Sequence, residues 1–246
     1  MQGNNQQQAY DRGITIFSPD GRLYQVEYAR EAVERGSASV GVRTPDGVVL
    51  AADRQTRSSL IEEESIEKIH SIDTHVGVAT AGHVADARQL VDFARQQAQV
   101  EQLRYEEPIG VETLTKRVTD HIQQYTQTGG ARPFGVSLIV GGVENGRPRL
   151  FEADPSGTPY EWKAIAVGRG QQDIQGHLEE EYDEDSDLAG GIDLALEALA
   201  VEADDLDAGS VHVSTVDVES EQFETLSTEQ ISDHLAELDI GGESDE

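Results

Sequence analysis

SASVGVRTPDGVVLAADRQ, residues 37–55, is the stretch that indicates how this chain begins its core. It contains two short apolar or alternating runs, SASVGVRT and GVVLAADRQ, joined by Pro45-Asp46-Gly47. Runs of this length around a turn tripeptide predict a β-hairpin. We therefore expect the core sheet to start here.

A turn and a helix are predicted before this hairpin. Ser18-Pro19-Asp20-Gly21 has Pro, Asp and Gly where a type I turn favours them. Residues 22–35 then carry apolar side chains at three- and four-residue spacing among charged ones, which predicts an amphipathic helix. The apolar face of that helix must pack on another part of the fold.

After the hairpin, the patterns predict strands, two helices, strands, two helices and strands, followed by a last helix. The predicted strands are residues 66–72, 75–81, 136–142, 147–153, 160–168, 210–217 and 222–227, and the predicted helices are residues 84–105, 110–127, 171–182, 188–202 and 228–238. This blocked order predicts an α+β protein with sheets packed face to face and helices outside, not a doubly wound parallel fold.

Length and composition exclude several classes of protein. The 246 residues suffice for one layered domain, and the absence of cysteine excludes disulfides, thiolate metal sites and a cysteine nucleophile. The sequence contains neither a run of 18 apolar residues nor a signal-peptide pattern at the polar start MQGNNQQQ. We expect a soluble, cytoplasmic protein with no membrane partner.

The net charge of -30 is concentrated in the C-terminal third. From Gly170 onward there are 25 acidic residues and no Lys or Arg. Such a field repels nucleic acid and anionic membranes, so neither is an expected partner. The spread of acidic residues over nearly every predicted helix favours adaptation to concentrated salt. An acidic tail on an ordinary protein is the alternative, but it explains only GGESDE at the end.

Several motifs, in order and near family spacing, resemble the alpha subunits of archaeal 20S proteasomes. These are YDR, FSPDGRLYQVEYAREAVERGS, SIEKI, AGHVADAR, QYTQTGGARPFGVSL and LFEADPSG. The resemblance implies a four-layer αββα sandwich of the N-terminal-nucleophile hydrolase superfamily. It also implies a heptameric ring of alpha subunits stacked on a ring of peptidase beta subunits.

The same resemblance divides the chain into three parts. Residues 1–12 form a flexible gating tail, residues 13–239 a single sandwich domain that includes the helix at 22–35, and residues 240–246 an acidic disordered tail. The helix is expected to hold the preceding chain over an axial pore. The implied gate residues are Tyr10, Asp11, Arg12, Pro19 and Tyr28.

Ser37 is the candidate nucleophile that must be weighed. In the superfamily's peptidases the nucleophile is the first residue of the mature chain and uses its own α-amine. The matching place here is Ser37, which becomes a terminus only if the Gly36–Ser37 bond is cleaved. We expect no catalytic role for Ser37, and Asp53 is interpreted as a vestige of the catalytic aspartate. A self-processed amide hydrolase that loses residues 1–36 is the alternative.

Lys68 is the sharper candidate for a binding role. Only three lysines occur in the chain, and a lysine kept within SIEKI favours a task for a compact point charge. The resemblance implies that Lys68 lines a pocket between adjacent alpha subunits, which receives the C-terminal carboxylate of an activating AAA ATPase. The pocket residues it implies are Lys68, Leu23, Arg30, Gly36 and Gly82.

A second implied site is the channel constriction at Thr128, Gly129, Gly130 and Ala131, which would admit only unfolded chains. Glycines suit a crowded turn that requires positive φ.

His70, His75 and His83 match no metal motif, so we expect them at the surface and expect neither a metal nor a cofactor. A free-standing acidic binding module that never assembles is the third interpretation.

Overall fold

The structure is a computed structural model. It describes residues 17–19, 21–54, 58, 60–62, 65–127, 131–203 and 206–240. The predicted gate residues Tyr10, Asp11 and Arg12, most of the predicted constriction and the acidic end at residues 241–246 lie outside the described residues.

Strands and helices follow the predicted blocked order. The strands are β1 Ser39–Thr44, β2 Gly47–Asp53, β3 Ile69–Asp73, β4 Val76–Gly82, β5 Val136–Glu144, β6 Arg147–Ala153, β7 Pro159–Glu161, β8 Ala164–Val167, β9 Val211–Asp217 and β10 Phe223–Thr225. The helices are α1 Tyr24–Glu34, α2 Val84–Tyr105, α3 Val111–Gln127, α4 Gln171–Glu181, α5 Leu188–Ala200 and α6 Thr228–Glu237. The helices predicted at 84–105, 110–127 and 171–182 therefore agree with the observed bounds to within a residue at either end.

The strands form two antiparallel sheets of five. One sheet has the order β10-β9-β2-β1-β8, and the other has the order β3-β4-β5-β6-β7. The hairpin predicted from the opening stretch is confirmed: β1 and β2 pair with Val42 opposite Val49, and the turn closes between Thr44 and Gly47. This hairpin lies at the centre of the first sheet, because β9 and β8 pair on its two sides.

Three apolar clusters show how the layers stack. Val48, Leu50 and Ile139 belong to a cluster between the two sheets. A second cluster fills the space between the β1 sheet and α4, α5 and α6, and a third lies between the β4 sheet and α2 and α3. The alternation of side chains along each strand sends one set to the partner sheet and the other to the helices. The result is the predicted four-layer αββα sandwich.

One predicted strand, residues 160–168, is wrong as a single element. It divides into β7, which pairs with β6, and β8, which pairs with β1 in the other sheet. The Trp162 amide donates to the Leu150 carbonyl at 2.9 Å, whereas the Lys163 carbonyl accepts from the Arg43 amide at 2.9 Å. The chain therefore changes sheet between these two residues.

Local turn chemistry agrees with the sequence. Asn145 and Gly146 have φ of 54° and 68°, which is the pair of left-handed residues that a tight hairpin such as β5–β6 requires. The Gly21 amide donates to the Ser18 carbonyl at 2.8 Å, which closes the turn before α1.

Across the part of the chain that the structure describes, no helix combines the length and hydropathy needed to cross a membrane.

Candidate functional site

A cavity of about 350 Å³ lies where the start of β1, the segment before β3 and the start of α2 meet. Its lining residues include both polar and apolar side chains. They are Gly36, Ser37, Ser65, Ile66, Glu67, Lys68, His70, Thr80, Gly82, Val84, Ala87 and Arg88. Three of the five residues predicted for the activator pocket, Gly36, Lys68 and Gly82, therefore line one cavity.

Lys68 provides the buried charge of this cavity. It is 8% exposed, and its ammonium donates to the Ser37 carbonyl at 2.6 Å, the Ser37 hydroxyl at 2.8 Å and the Ala38 carbonyl at 2.9 Å. The Lys68 carbonyl accepts from the Thr80 amide at 2.9 Å, which fixes the backbone beside β4. The pKa of Lys68 is lowered to about 7, mainly by burial; Asp53 opposes this shift and Arg169 adds to it.

Ser37 lies within a continuous and well-held backbone. Its hydroxyl donates to the Asp53 carbonyl at 2.9 Å. The Gly36 amide donates to the Val33 carbonyl at 2.9 Å, and the Gly36 carbonyl accepts from the Arg169 amide at 2.8 Å. Asp53 is buried, with its carboxylate 3.5 Å from the Arg169 guanidinium. Ser37, Lys68 and Asp53 thus meet, but the nitrogen of Ser37 is a peptide amide and cannot act as the base.

Glycines allow backbone segments to pack closely around the chain at Gly36 and Ser37. A Cβ added to Gly36 would lie 2.5 Å from the Gly82 nitrogen, and one added to Gly168 would lie 2.7 Å from the Ser37 carbonyl oxygen. Gly82 itself has φ of 119° and approaches the Gly135 carbonyl. The end of α1 is therefore fitted against β4 at a distance that only glycine allows.

Arg30 and Leu23 do not line this cavity. Arg30 donates to the Asp154 carboxylate at 2.7 and 3.2 Å, and this hydrogen bond is the main cause that raises the pKa of Arg30. With Asp154 and Pro155 it lines a separate cavity of about 140 Å³. The Leu23 carbonyl accepts from the Val26 and Glu27 amides at the start of α1. The predicted pocket residues are therefore divided: Gly36, Lys68 and Gly82 line the first cavity, Arg30 lines the second, and Leu23 lines neither.

One described gate residue lies before the N-terminal helix and the other lies on it. Pro19 is exposed in the turn before α1, and Tyr28 is 45% exposed on that helix. Buried Val26, Ala29 and Val33 form the opposite face. Helix α1 therefore has one face fixed on the sandwich and one face turned outward.

Ala131, the one predicted constriction residue among those described, is half-buried. The next residue, Arg132, clamps the Asp86 carboxylate of α2 at 2.5 and 2.6 Å, and the Gly135 amide donates to the same carboxylate at 2.8 Å. Thr128, Gly129 and Gly130 lie outside the described residues. The segment that returns from them is therefore anchored directly on α2.

The expectation that His70 and His75 are surface residues is wrong. Both are buried, and the His75 Nε2 lies 2.8 Å from the Ile109 carbonyl oxygen. His83 is largely exposed, as expected. Within the described ranges no group of three or more His, Asp and Glu side chains could hold a metal ion.

His70 and Arg88 line the cavity but were not predicted as cavity residues from the sequence. Arg88 follows Val84 by four residues, so helical periodicity within the motif AGHVADAR places these two residues on the same face. His70 follows Lys68 by two residues, and side chains two residues apart in an extended strand lie on the same face. Both signals are present in the sequence, but neither singles out the residue without the partner element.

Comparison with known proteins identifies the family to which this chain is similar. A model of the proteasome subunit family matches residues 33–216, and a model of the N-terminal signature of A-type proteasome subunits matches residues 10–32. The proteasome alpha 2 subunit of Haloarcula marismortui is 71% identical, with 99% of this chain and 100% of the relative covered. The proteasome alpha subunit of Natronomonas pharaonis is 67% identical, with 98% and 95% covered.

A further relative, the proteasome alpha 1 subunit of Haloferax volcanii, is 66% identical over 98% of this chain and 96% of its own length. The N-terminal signature covers most of α1 and the segment before it, which a chain that begins at Ser37 would lack. These matches confirm the predicted resemblance to archaeal proteasome alpha subunits, and the organisms of these relatives are halophilic archaea. The chain belongs to the proteasome subunit family, as a non-catalytic subunit of the alpha type found in halophilic archaea.

Proposed function

We propose that this alpha subunit forms, with further alpha subunits, the heptameric outer ring of a cytoplasmic 20S core particle and controls the entry of unfolded chains. The ring stacks on beta subunits, in which the peptidase activity lies. Membership of the alpha type supports this assignment, and so does the double sheet sandwich with helices on both outer faces.

The cavity at Lys68 docks the C-terminal carboxylate of a proteasome-activating AAA ATPase. The observation that carries this proposal is a buried ammonium that lines an open cavity together with apolar side chains. A charge-assisted hydrogen bond to a carboxylate contributes about 1.5 to 3 kcal/mol, and repeated pockets around a ring add avidity. Arg30 serves this docking from the second cavity and Leu23 from the start of α1, so neither lies beside Lys68 within one chain.

The residues before α1 act as the gate, with Tyr10, Asp11 and Arg12 at its base. Helix α1 is a suitable fixed support because its apolar stripe is buried and Arg30 ties it to Asp154. Pro19, with its fixed φ, is the rigid element that sets whether the preceding chain points over the pore or away from it. Residues 128–131 form the constriction below the gate, and the Asp86–Arg132 ion pair holds their C-terminal end.

A self-processed hydrolase is the competing function, favoured only by the 2.8 Å contact between Ser37 and Lys68. The intact mass of the chain within the assembled particle separates the two. We expect a ring-sized assembly whose alpha chains retain residues 1–36. A chain that starts at Ser37 would establish the hydrolase and overturn the gating assignment.

Docking is tested with Lys68→Met in core particles assembled with beta subunits. We expect ATPase binding to weaken by about tenfold or more, because the buried ammonium is lost. Lys116→Met and Lys163→Met are matched controls, since both lysines are largely exposed. Equal binding by all three variants would contradict docking at Lys68.

The gate is tested by deletion of residues 2–12. We expect hydrolysis of a short fluorogenic peptide without ATPase to rise several-fold, because the pore is no longer covered. The particle mass and the degradation of an already unfolded protein by the ATPase complex serve as controls. Unchanged peptide hydrolysis in an intact particle would show that these residues do not cover the pore.

A further inference from the structure

All three hydrogens of the Lys68 ammonium are used in hydrogen bonds to oxygens of the same chain. An ammonium has three hydrogens, and three oxygens lie within 2.9 Å of this one: two carbonyls and the Ser37 hydroxyl. A carboxylate that enters the cavity therefore meets a cation whose donors are already in use. It binds strongly only if one of the three oxygens leaves.

We propose that the Ser37 hydroxyl holds the place of the incoming carboxylate on Lys68, so that Ser37 sets the affinity of this docking pocket. The inference rests on the docking function proposed above and adds a residue to it. Ser37 and Lys68 both line the cavity, so the ligand reaches the contact between them from the open side.

The hydroxyl is the oxygen that can leave most readily. The Ala38 carbonyl also accepts from the Asp53 amide at 3.0 Å, in register with the strand ladder. The Ser37 carbonyl belongs to backbone that is packed against Gly168. The hydroxyl, in contrast, swings away by rotation about a single side-chain bond, with no backbone movement.

Its departure has a cost that lowers the affinity of the natural sequence. The hydroxyl loses its bond from Lys68 and also its own bond to the Asp53 carbonyl, which is 2.9 Å long. Removal of the hydroxyl by substitution eliminates both bonds before the ligand arrives. Because a hydrogen bond to a charged group is involved, the affinity for a carboxylate should rise by about tenfold.

The test uses core particles assembled from full-length alpha and beta chains in concentrated salt. The probe is a fluorescent peptide copied from the C-terminus of the host's proteasome-activating ATPase, prepared as the free acid and as the amide. Ser37→Ala is compared with Ser37→Thr, which keeps the hydroxyl, and with Lys68→Met. Ser39→Ala is the matched control, because the Ser39 hydroxyl donates to the Thr80 carbonyl and makes no bond with Lys68.

We expect Ser37→Ala to bind the free acid about tenfold more tightly than the natural chain. Ser37→Thr and Ser39→Ala should stay within about twofold, and no variant should bind the amide more tightly. If only Ser37→Ala gains affinity for the acid, the hydroxyl blocks the pocket and the inference stands. If the natural chain prefers acid to amide but Ser37→Ala binds no better, docking stands and the role of Ser37 is refuted. If the natural chain, Ser37→Ala and Lys68→Met all fail to distinguish acid from amide, docking at Lys68 and the inference both fail.

Discussion

At the scale of single residues, Gly36 is a position where the neighbouring backbone leaves no room for a side chain. A Cβ at Gly36 would lie 2.5 Å from the Gly82 nitrogen and 3.0 Å from the Gly82 Cα. Both contacts are backbone atoms, so they cannot move aside as a flexible side chain can. The junction between α1 and the sandwich therefore depends on this glycine.

We predict that Gly36→Ala lowers the free energy of unfolding by about 1 to 3 kcal/mol, because an added methyl group overpacks the junction. Chemical denaturation in concentrated salt measures the change. Gly176→Ala in α4 is the control, since no atom lies within 4 Å of its added Cβ. That control should instead stabilise the helix by about 0.5 to 1 kcal/mol. Similar effects at the two positions would contradict the close approach at Gly36.

The buried Lys68 predicts a pH dependence of stability. Burial lowers its pKa to about 7, whereas an unfolded lysine titrates near pH 10.4. Between these values the unfolded chain binds the extra proton, so stability rises with pH in that window. The free energy of unfolding of the natural chain, relative to Lys68→Met, should rise by about 1.4 kcal/mol per pH unit from roughly pH 7 to 10.

Unfolding curves of the two chains across this pH range provide the measurement. Lys163→Met is the control, because a hydrogen bond to Glu184 raises the pKa of Lys163. A group whose pKa is raised in the folded state gives its full stabilisation at every pH below its pKa in the unfolded state. The difference in unfolding free energy between the natural chain and Lys163→Met should therefore stay constant from roughly pH 7 to 10. A level difference for Lys68→Met as well would show that Lys68 is not desolvated.

At this scale Lys68 could be identified from the sequence, but its hydrogen-bond partners could not. Scarcity of lysine and the motif SIEKI were visible in one sequence, whereas the contact with Ser37 joins positions 31 apart. The burial of His70 and His75 was missed for a related reason. Strand alternation gives two faces, and the sequence alone does not show that the helices α2 and α3 cover one of them.

At the scale of secondary-structure elements, the Asp86–Arg132 pair joins the first turn of α2 to the segment before β5. Burial acts to raise the pKa of Asp86, but the hydrogen bonds from Arg132 and from the Gly135 amide outweigh it and lower the pKa. A carboxylate whose pKa is lowered in the folded state stabilises the protein at pH values above its pKa in the unfolded state. This stabilisation is lost as the pH falls through the folded-state pKa. The pair thus anchors the returning constriction segment at neutral pH.

We predict that Asp86→Asn destabilises the chain by about 2 kcal/mol, because the buried carboxylate loses the charge that strengthens its hydrogen bonds from Arg132 and the Gly135 amide. Hydrogen exchange at residues 131–135 should accelerate by more than in the rest of the β5 sheet. Glu184→Gln is the control, since its pair with Lys163 is exposed and should leave stability unchanged. Unaltered exchange in Asp86→Asn would mean that packing alone holds the segment.

Most elements could be predicted because their periodicity is long and their turns are specific. The helix at residues 84–105 and the Asn145-Gly146 hairpin are examples, and both agree with the structure. The run 160–168 could not be divided from the sequence. Alternation identifies a strand but not its partner, and here the partner changes from β6 to β1 within two residues.

At the scale of the whole molecule, charge differs between the two helical layers. Helices α2 and α3 together contain five acidic and five basic residues. Helices α4, α5 and α6 contain nine acidic residues and no Lys or Arg. Contacts between these three helices include His234 with Asp193 at 2.6 Å and His177 with Glu197 at 3.9 Å. Cations in solution must therefore screen one layer far more than the other.

This asymmetry predicts which layer opens first when salt is removed. The Debye length grows from about 3 Å at 1 M to about 10 Å at 0.1 M salt, so the acidic residues of α4, α5 and α6 begin to repel one another across the layer. Amides in these helices should lose protection at higher salt than amides in α2 and α3. Hydrogen exchange over a series of KCl concentrations, with light scattering for the assembly, measures this order.

A variant of α4 isolates charge from other effects of salt. Glu179, Glu180 and Glu181 are exposed at the end of that helix, and their replacement by Gln removes three negative charges without loss of apolar burial. The salt concentration at which α4 opens should therefore fall, whereas the behaviour of α2 and α3 should not change. If both layers lose protection together, or if the variant opens at the same salt concentration as the natural chain, weaker hydrophobic burial rather than repulsion governs the loss of structure, because salt also strengthens apolar association.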